Sequence, residues 1–377
     1  MKRKPHIMCV FGTRPDAVKM CPLVLELQRR TDLRTTVTLT AQHREMLDAV
    51  TALFGVQADY DLNIMKPAQT LQSITADILD GMTRVLREAK PDLVLVHGDT
   101  STCFVSALAA FYEKIPVGHV EAGLRSFDRY SPFPEEMNRC LVGRLAELHF
   151  APTPQNRANL AAEGITEGVY VTGNTVIDAF AYTVREDYRF SDEKLRAIDF
   201  DAPGRRYITL TAHRRENQGE GIAAICRAAR RIVEAHPDIT VIYPVHLSPA
   251  VRNTVFPLLQ GHERIVLCDP VGLGDMHNLL AKSTLVLTDS GGLQEEAPSL
   301  GVPVLVLRTE TERPEAVEAG TVKVVGVDGD VIVAEAERLL TDSDAYAAMA
   351  HAVNPYGDGH ASERIADAIT AWAAARA

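Results

Sequence analysis

The sequence predicts an α/β protein of the GT-B type: two Rossmann-like domains, each built on a parallel sheet covered by helices, with the active site in the cleft between them. Short apolar runs alternate with amphipathic stretches along the whole chain and fall into two series. Continuous apolar strands separated by helices are typical of parallel sheets buried on both faces. The length of 377 residues also suits two domains better than one.

The apolar runs predict the strands in order. The first series comprises Ile7–Phe11, Thr35–Thr40, Leu93–His97, Val117–Val120 and Leu148–Ala151. The second series comprises Tyr207–Leu210, Ile239–Tyr243, Ile265–Cys268, Leu285–Thr288, Val304–Leu307 and Thr321–Val325. The breaker at residues 354–359 precedes helical periodicity over Ala361–Ala375, which predicts a last helix that returns to the first domain. We expect the first domain at 1–173 plus 357–377 and the second at 174–356.

Composition excludes several classes of protein. The net charge of −11 argues against nucleic acid or an anionic membrane as a partner. No apolar run approaches the length of a membrane span, and the basic N-terminus leads directly into a predicted strand rather than a signal peptide. The six scattered cysteines form no Cys-x-x-Cys pair, which favours buried free thiols and a cytoplasmic protein.

Charged residues and glycines follow nearly every predicted strand in both series. They occur in the segments Gly12–Pro15, Gly98–Ser101, Glu121–Arg125, Thr211–Asn217, Pro244–His246 and Asp269–Pro270. In open parallel sheets, ligands bind beyond the carboxyl ends of the strands. The sequence therefore predicts one site that both domains contribute to.

The segment from Thr288 to Pro298 is the most informative of these strand ends. Ser290, Gly291 and Gly292 follow an apolar strand and precede a predicted helix, so that backbone N–H groups and a positive helix end suit a phosphate. Glu295 and Glu296 are predicted in the first turn of that helix, where one carboxylate can reach a ribose hydroxyl. An ordinary strand-to-helix turn with acidic residues near the helix start is the alternative interpretation.

The chain resembles the non-hydrolysing UDP-N-acetylglucosamine 2-epimerases. The matching stretches run in the family's order through essentially the whole chain: Phe11–Lys19, Gln42–Arg44, His97–Thr100, His119–Arg125, Pro134–Arg139, Gly173–Asp178, Ala212–Asn217, Asp289–Glu296 and Thr311–Glu315. The resemblance implies the GT-B architecture, a homodimer, and interconversion of UDP-N-acetylglucosamine (UDP-GlcNAc) with UDP-N-acetylmannosamine (UDP-ManNAc). The implied route is elimination of UDP to 2-acetamidoglucal, followed by re-addition.

The family's three carboxylate positions correspond to Asp99, Glu121 and Glu135. Such a reaction needs carboxylates beside the sugar, because a proton must be taken from C2 and returned, and positive charge at C1 must be offset. We expect Asp99 and Glu121 to transfer the proton, with Glu135 supporting the charge at C1 or sharing that work. From the residues alone, Glu135 and Glu136 could equally begin a helix after Pro134.

The resemblance also implies residues that bind UDP. His213 would contact phosphate and protonate the leaving group, although a histidine at a strand end is more often structural. Ser290, Gly291 and Gly292 would hold the diphosphate and Glu296 the ribose. Further candidate contacts to the base or the phosphates are Arg14, Lys19, Val271, Met276 and Arg313. Where many relatives carry Phe in the uridine loop, this chain has Met276, a polarizable side chain that can still pack on uracil.

Some bacterial relatives bind a second UDP-GlcNAc as an activator. The matching positions are Gln42, Gln69, Arg214 and His246, and they imply an allosteric site. The first strand is not followed by Gly-x-Gly-x-x-Gly, so oxidation by NAD is unsupported. We expect neither a cofactor nor a metal.

Three other functions compete with this one. A hydrolysing epimerase would release UDP and free N-acetylmannosamine. A GT-B glycosyltransferase would need an acceptor pocket and no carboxylates able to move a C2 proton. A nucleotide-sugar sensor without activity would have no need for Asp99, Glu121, Glu135 and His213.

Overall fold

The computed structural model describes residues 3–42, 44–66 and 68–376. The chain divides into two compact units, Met1–Tyr182 with Tyr356–Ala377 and Thr183–Pro355. Among the helices of the described residues, none is both long and apolar enough to span a membrane.

The chain up to the boundary between the units alternates strands and helices. In order these are β1 (His6–Phe11), α1 (Arg14–Arg29), β2 (Arg34–Leu39), α2 (Arg44–Phe54), β3 (Tyr60–Asp61), α3 (Leu71–Ala89), β4 (Leu93–His97), α4 (Ser101–Tyr112), β5 (Val117–Val120), α5 (Glu135–Leu145), β6 (Leu148–Ala151), α6 (Pro154–Ala162), β7 (Val169–Val171), α7 (Thr175–Asp178) and α8 (Phe180–Thr183). As described, the strands form one parallel seven-stranded sheet in the order β3-β2-β1-β4-β5-β6-β7.

The second unit repeats this plan. Its elements are α9 (Glu193–Arg196), β8 (Arg206–Thr211), α10 (Glu220–Ala235), β9 (Ile239–Pro244), α11 (Pro249–Leu259), β10 (Ile265–Cys268), α12 (Leu273–Ala281), β11 (Leu285–Thr288), α13 (Gly291–Glu296), β12 (Val304–Val306), α14 (Pro314–Glu318), β13 (Val322–Val324), α15 (Gly329–Thr341) and α16 (Ser343–Ala350). Within the described residues its six strands are parallel in the order β10-β9-β8-β11-β12-β13. This is the strand order of dinucleotide-binding Rossmann folds.

The last helix, α17 (Ala361–Ala375), belongs to the first unit. The Asp178 carboxylate accepts the backbone N–H groups of Ala361 and Ser362 at 3.2 and 2.6 Å, which caps the positive end of this helix. Arg30, which directly follows α1, lies 2.8 Å from Asp367 of the last helix. Both contacts hold the last helix against elements of the first unit.

Strand order creates a switch point in each sheet. In the first sheet, β1 lies between β2 on one side and β4 on the other, so the direction of strand addition reverses there. In the second sheet, β8 lies in the same way between β9 and β11. Ligands of open parallel sheets bind in the crevice beyond the carboxyl ends of strands at such a point. The loops after β1, β4, β8 and β11 thus mark the candidate site in each unit.

The predicted strands are confirmed in both units, but two strands were missed. β3 has two residues and β7 three, and both lie at the edges of the first sheet. Only one side of an edge strand is paired, and neither segment forms an apolar run long enough to stand out from a loop.

Gly123 gives a direct test of how the loop after β5 is packed. Its φ is +90°, and an added Cβ would lie 2.2 Å from the backbone oxygen of Asn156. Gly164 also has a positive φ, of +78°, but an added Cβ there meets nothing within 4 Å. We expect Gly164→Ala to cost about 1 kcal/mol through backbone strain, and Gly123→Ala at least about 2 kcal/mol because the backbone must also shift. Urea unfolding of the two variants would measure this difference, and equal losses would contradict the packing described here.

Candidate active site

The pairing of β4 with β5 brings two acidic strand ends together. His97, the last residue of β4, lies opposite Val120, the last residue of β5, in a parallel register. Gly98 then turns with a φ of +65°, and its N–H donates to the Val120 carbonyl oxygen at 2.9 Å. Asp99 and Glu121 therefore leave the sheet at the same edge.

Asp99 is held by a guanidinium group. Arg139 of α5 donates from Nε and Nη2 to Oδ2 of Asp99, at 2.9 and 2.6 Å. The Asn138 side chain donates to the backbone oxygen of Asp99 at 2.7 Å. The Asp99 side chain stays 27% exposed, so it is fixed in place and still accessible.

Glu121 is the most constrained of the three predicted carboxylates. Its φ of +63° lies in the left-handed region, which is rare for a residue with a side chain and common at functional sites. Lys19 forms an ion pair with its Oε1, and Asn174 donates to the same oxygen at 3.1 Å. Nε2 of His97 lies 3.4 Å from its Oε2. These contacts fix the carboxylate with only 11% of the side chain exposed.

Glu135 and Glu136 behave differently although both begin α5. Glu136 is 3% exposed and accepts the N–H groups of Ser126 and Phe127 at 3.0 and 3.1 Å. Burial alone would raise the pKa of Glu136, but these two hydrogen bonds and Arg139 lower it below its usual value. Glu135 is partly exposed, and its carboxylate accepts no hydrogen bond from the described residues. Both residues thus begin the helix, but the carboxylate of Glu136 is used to hold the preceding loop, whereas that of Glu135 is available.

Asp16 ties the loop after β1 to the loop after β4. Its carboxylate accepts the N–H of Thr13 at 3.2 Å and lies 3.4 Å from both Nδ1 of His97 and the Thr100 hydroxyl. The buried thiol of Cys103 is close enough to these carboxylates to sense their charge. Burial and the charges of Asp16, Asp99 and Glu121 raise its pKa well above the usual value. Three carboxylates therefore gather around one buried point.

Arg14 and Lys19, both predicted to contact UDP, take different positions on α1. Lys19 pairs with Glu121. Arg14 is partly exposed, and in the described part of the chain its side chain makes no hydrogen bond or ion pair. Its charge is therefore available to a ligand, whereas the charge of Lys19 is already used within the acidic cluster.

In the second unit, Asp289 organises the loop after β8. It is completely buried, and its Oδ2 accepts the N–H groups of His213 and Arg214, each at 2.8 Å, and the Asn217 amide at 3.1 Å. Nδ1 of His213 lies 3.4 Å from the other carboxylate oxygen. The ring of His213 stacks on His246, with centroids 5.3 Å apart, and the His213 side chain is 39% exposed.

The environment of His213 favours its neutral form. Burial lowers the pKa of His213, the charge of Asp289 opposes that shift, and His246 and Arg214 lower it further. A neutral ring oriented by a carboxylate can accept a hydrogen bond or pick up a proton when an anion approaches.

The Ser-Gly-Gly segment departs from its prediction in two ways. Gly291 and Gly292, which were predicted to precede the helix, are the first two residues of α13. Because α13 ends at Glu296, Glu295 and Glu296 occupy its last two positions, so the prediction that they lie in the first turn was wrong. Ser290 precedes the helix, and its N–H donates to the Thr288 hydroxyl at 2.9 Å.

The two carboxylates of α13 have different partners. Glu295 forms an ion pair with Arg313, which was a candidate phosphate contact. Oε2 of Glu296 lies 3.5 Å from Nε2 of the fully buried His277, and Nδ1 of that ring is 2.7 Å from the Thr183 hydroxyl. The buried ring of His277 thus lies beside the Glu296 carboxylate.

The remaining predicted contacts are distributed over both units. Val271 packs on an apolar cluster with Phe190 and Leu279, and Met276 lies one turn into α12.

The residues predicted for an allosteric site lie in both units. In the first unit, Gln42 accepts a hydrogen bond from the Thr102 hydroxyl at 3.2 Å, and Gln69 donates to the Ile64 oxygen at 2.6 Å. Arg214 and His246 belong to the second unit. His43, in the motif that resembles the family, lies outside the described residues.

Sequence reasoning missed several residues that position the acidic groups. These are Asp16, His97, Glu136, Arg139, Asn174, His277 and Asp289. All except His277 lie in stretches that carry the family resemblance, so the signal was present. The sequence did not indicate which carboxylate, loop or ring each of these residues contacts.

A buried histidine below Asp99 predicts a pH dependence of stability. Nε2 of His119 is 2.7 Å from the Gly98 oxygen, and burial lowers the pKa of His119 to about 3 although that hydrogen bond opposes the shift. Between pH 6.5 and 3 the unfolded chain therefore binds more protons here than the folded chain. The free energy of unfolding should therefore decrease as the pH is lowered through this window, with His119 contributing about 1.4 kcal/mol per pH unit.

His119→Gln tests this expectation, because glutamine keeps a donor but does not titrate. Urea unfolding at pH 7, 6 and 5 should show a smaller loss of stability for the variant than for the wild type. Parallel losses in the two proteins would contradict the buried neutral histidine.

Known proteins match this chain over nearly its whole length. Residues 25–370 match the family model described as UDP-N-acetylglucosamine 2-epimerase. The UDP-N-acetylglucosamine 2-epimerase of Bacillus subtilis is 52% identical over 97% of this chain and 95% of its own length.

Two solved structures are similar over nearly the full length. The UDP-GlcNAc 2-epimerase of Neisseria meningitidis bound to UDP-GlcNAc is 47% identical, with a TM-score of 0.82 over 97% of this chain and 100% of that one. The S. aureus protein MnaA in complex with UDP is 47% identical, with a TM-score of 0.85 over 98% and 97% of the two chains. The predicted fold class, with two Rossmann-like parallel-sheet domains of the GT-B type, is confirmed.

Proposed function

Because the chain belongs to the UDP-N-acetylglucosamine 2-epimerase family, we propose that it interconverts UDP-GlcNAc and UDP-ManNAc by inverting C2 without hydrolysis. The observation that carries the proposal is the acidic group at the ends of β4 and β5, where Asp99 and Glu121 are each held by a cationic side chain. The family's solved relatives support the substrate, since one holds UDP-GlcNAc and another UDP.

The chemistry explains why the site needs several carboxylates. The C2–H bond of the sugar is not acidic, because no carbonyl lies next to it in the ring. As the C1–O bond to UDP breaks, positive charge develops at C1 and the C2 proton becomes removable. The C–H electron pair then forms the C1=C2 double bond of 2-acetamidoglucal, and the bond electrons of C1–O leave with UDP.

Re-addition reverses these steps with one difference. A proton is delivered to the other face of C2, and an oxygen of the retained UDP forms the bond to C1. No atom is gained or lost, and only the configuration at C2 changes. One group must therefore accept a proton on one face while another donates a proton on the opposite face.

Asp99 and Glu121 are the proposed proton-transfer groups. Each is anchored through one oxygen by a cation, while the constrained backbone of Glu121 aims its carboxylate from the end of β5. Glu135, partly exposed at the start of α5, supports the positive charge at C1 or shares the proton transfer. Fixed charges of this kind stabilise a charged transition state without reorganising during the reaction.

The second unit is proposed to bind UDP. His213 would take up a proton as the anionic diphosphate approaches, and would then donate a hydrogen bond or that proton to the leaving oxygen. Ser290, Gly291 and Gly292 would supply further donors to the diphosphate. Glu296, beside the buried ring of His277, would accept from the ribose hydroxyls. Val271 and Met276 would contact uracil, and Arg14 and Arg313 would add positive charge near the nucleotide.

The family resemblance extends the proposal to assembly and regulation. We include a homodimer and an activating second UDP-GlcNAc that contacts Gln42, Gln69, Arg214 and His246. The rate of epimerisation that starts from UDP-ManNAc, measured with and without added UDP-GlcNAc, would show whether UDP-GlcNAc activates the enzyme.

Nuclear magnetic resonance of the product mixture in deuterated water tests the proposed reaction. Incubation with UDP-GlcNAc should yield UDP-ManNAc, with deuterium from the solvent at C2 of both nucleotide sugars. Accumulation of free N-acetylmannosamine and UDP would instead identify a hydrolysing enzyme. Absence of exchange at C2, with transfer of the sugar to an acceptor, would favour a glycosyltransferase.

Substitutions at the acidic group test the assigned roles. Asp99→Asn and Glu121→Gln should each reduce turnover by at least about 100-fold, because each removes a proton-transfer group. Asp92→Asn at the opposite end of β4 is a matched control. Among the described residues, the Asp92 side chain accepts hydrogen bonds only from the backbone of His6 and from Arg3, and turnover should stay within about twofold. Near-normal turnover of both site variants would overturn the assignment.

A further inference from the structure

A continuous set of polar contacts links Asp99 to the loop that precedes α5. We propose that Arg139 and Glu136 are positioning residues that couple the aromatic loop (residues 126–133) to Asp99. Arg139 contacts the Asp99 carboxylate with Nε and Nη2, and it contacts Oε2 of Glu136 with Nη1 at 3.1 Å. The effect on catalysis rests on the proposed function, whereas the mechanical coupling does not.

At the Asp99 end, Arg139 leaves one oxygen available. Both of its N–H groups donate to Oδ2, and Oδ1 receives no hydrogen bond from the described residues. The Arg139 side chain is 15% exposed and that of Asp99 27%. Two rigid, coplanar donors that converge on Oδ2 hold that oxygen in a narrower range of positions than a single ammonium contact would. Arg139 therefore sets where Oδ1 points.

At the other end, Glu136 holds the aromatic loop by its backbone. Oε1 accepts the N–H of Phe127 at 3.1 Å, and Oε2 accepts the N–H of Ser126 at 3.0 Å. Phe127 has a φ of +62°, a conformation that needs such external support in a residue with a side chain. The buried carboxylate thus bridges the first residues of the loop to the helix that carries Arg139.

The aromatic loop itself presents large side chains to solvent. Phe127, Tyr130 and Phe133 are 73%, 72% and 60% exposed. The loop is closed internally by the Ser131 N–H, which donates to the Asp128 oxygen at 3.0 Å, and by the Tyr130 N–H, which donates to the Asp128 side chain at 3.0 Å. A loop braced in this way can move as one piece, and its main polar link to α5 is Glu136. Any shift of the loop would therefore reach Arg139 and the Asp99 carboxylate.

Steady-state kinetics of Arg139→Gln test the catalytic part of the inference. We expect kcat for UDP-GlcNAc to fall by about 50-fold with KM within about threefold, because the proton-transfer group is misdirected rather than the nucleotide released. Arg139→Lys should recover only part of kcat, since it restores the charge without the two coplanar donors. Arg144→Gln on the same helix is the control. Within the part of the chain that the structure describes, the Arg144 side chain hydrogen-bonds only to the Glu163 backbone oxygen, so kcat should be unchanged.

Combining Arg139→Gln with Asp99→Asn separates positioning from general damage to the fold. If Arg139 acts through Asp99, the double variant should be no slower than Asp99→Asn alone. Losses that multiply would instead show that Arg139 acts independently of Asp99 and would overturn its role as a positioning residue.

Hydrogen exchange of the backbone amides tests the coupling without relying on activity. The amides of Ser126 and Phe127 should exchange faster in Glu136→Gln, in Arg139→Gln and also in Asp99→Ala, with the thermal midpoint checked for each variant. Unchanged exchange in Arg139→Gln and Asp99→Ala would overturn the coupling, whatever the kinetics. An inactive wild type would contradict the proposed function, and the exchange data would then decide the coupling alone.

Discussion

The parallel register of β4 and β5 is the constraint on which the first unit's candidate site depends. Because His97 pairs with Val120, both strands end at the same level of the sheet. Asp99 and Glu121 follow within two residues of those ends. A shift of one residue would turn the side chains of β5 to the opposite face and separate the two carboxylates. The buried apolar residues of both strands fix the register against such a shift.

Gathering carboxylates at one point has an electrostatic cost, and the fold offsets it with specific partners. Lys19 balances Glu121, Arg139 lies between Asp99 and Glu136, and backbone N–H groups stabilise Asp16 and Glu136. Removing one partner of such a buried pair would leave a charge without compensation, which costs far more than the pair contributes. Lys19 and Arg313, which the sequence suggested as contacts to the nucleotide, are thus paired with carboxylates of the protein itself.

The sequence predicted the sheets well because their strands are continuous apolar runs, which only a doubly covered parallel sheet buries. It missed β3 and β7 because a short edge strand carries almost no periodic signal. It misplaced Glu295 and Glu296 because the two glycines were assigned to a turn before the helix, whereas the helix begins at Gly291 and ends at Glu296. The family resemblance located Asp99 and Glu121, but no pattern along the chain pairs His97 with Glu121 or Arg139 with Asp99. Those contacts exist only once α5 and the strand ends are folded together.

The central claim is that the C1–O bond breaks while UDP stays bound and that the acidic group then handles the C2 proton. Positional isotope exchange tests this most directly, with UDP-GlcNAc carrying ¹⁸O in the oxygen that bridges C1 and the β-phosphorus. The account predicts that the label moves into non-bridging β-phosphate positions during epimerisation and that the exchange is lost in Glu121→Gln. Complete epimerisation with the label retained in the bridge, and with no 2-acetamidoglucal in quenched reactions, would contradict it.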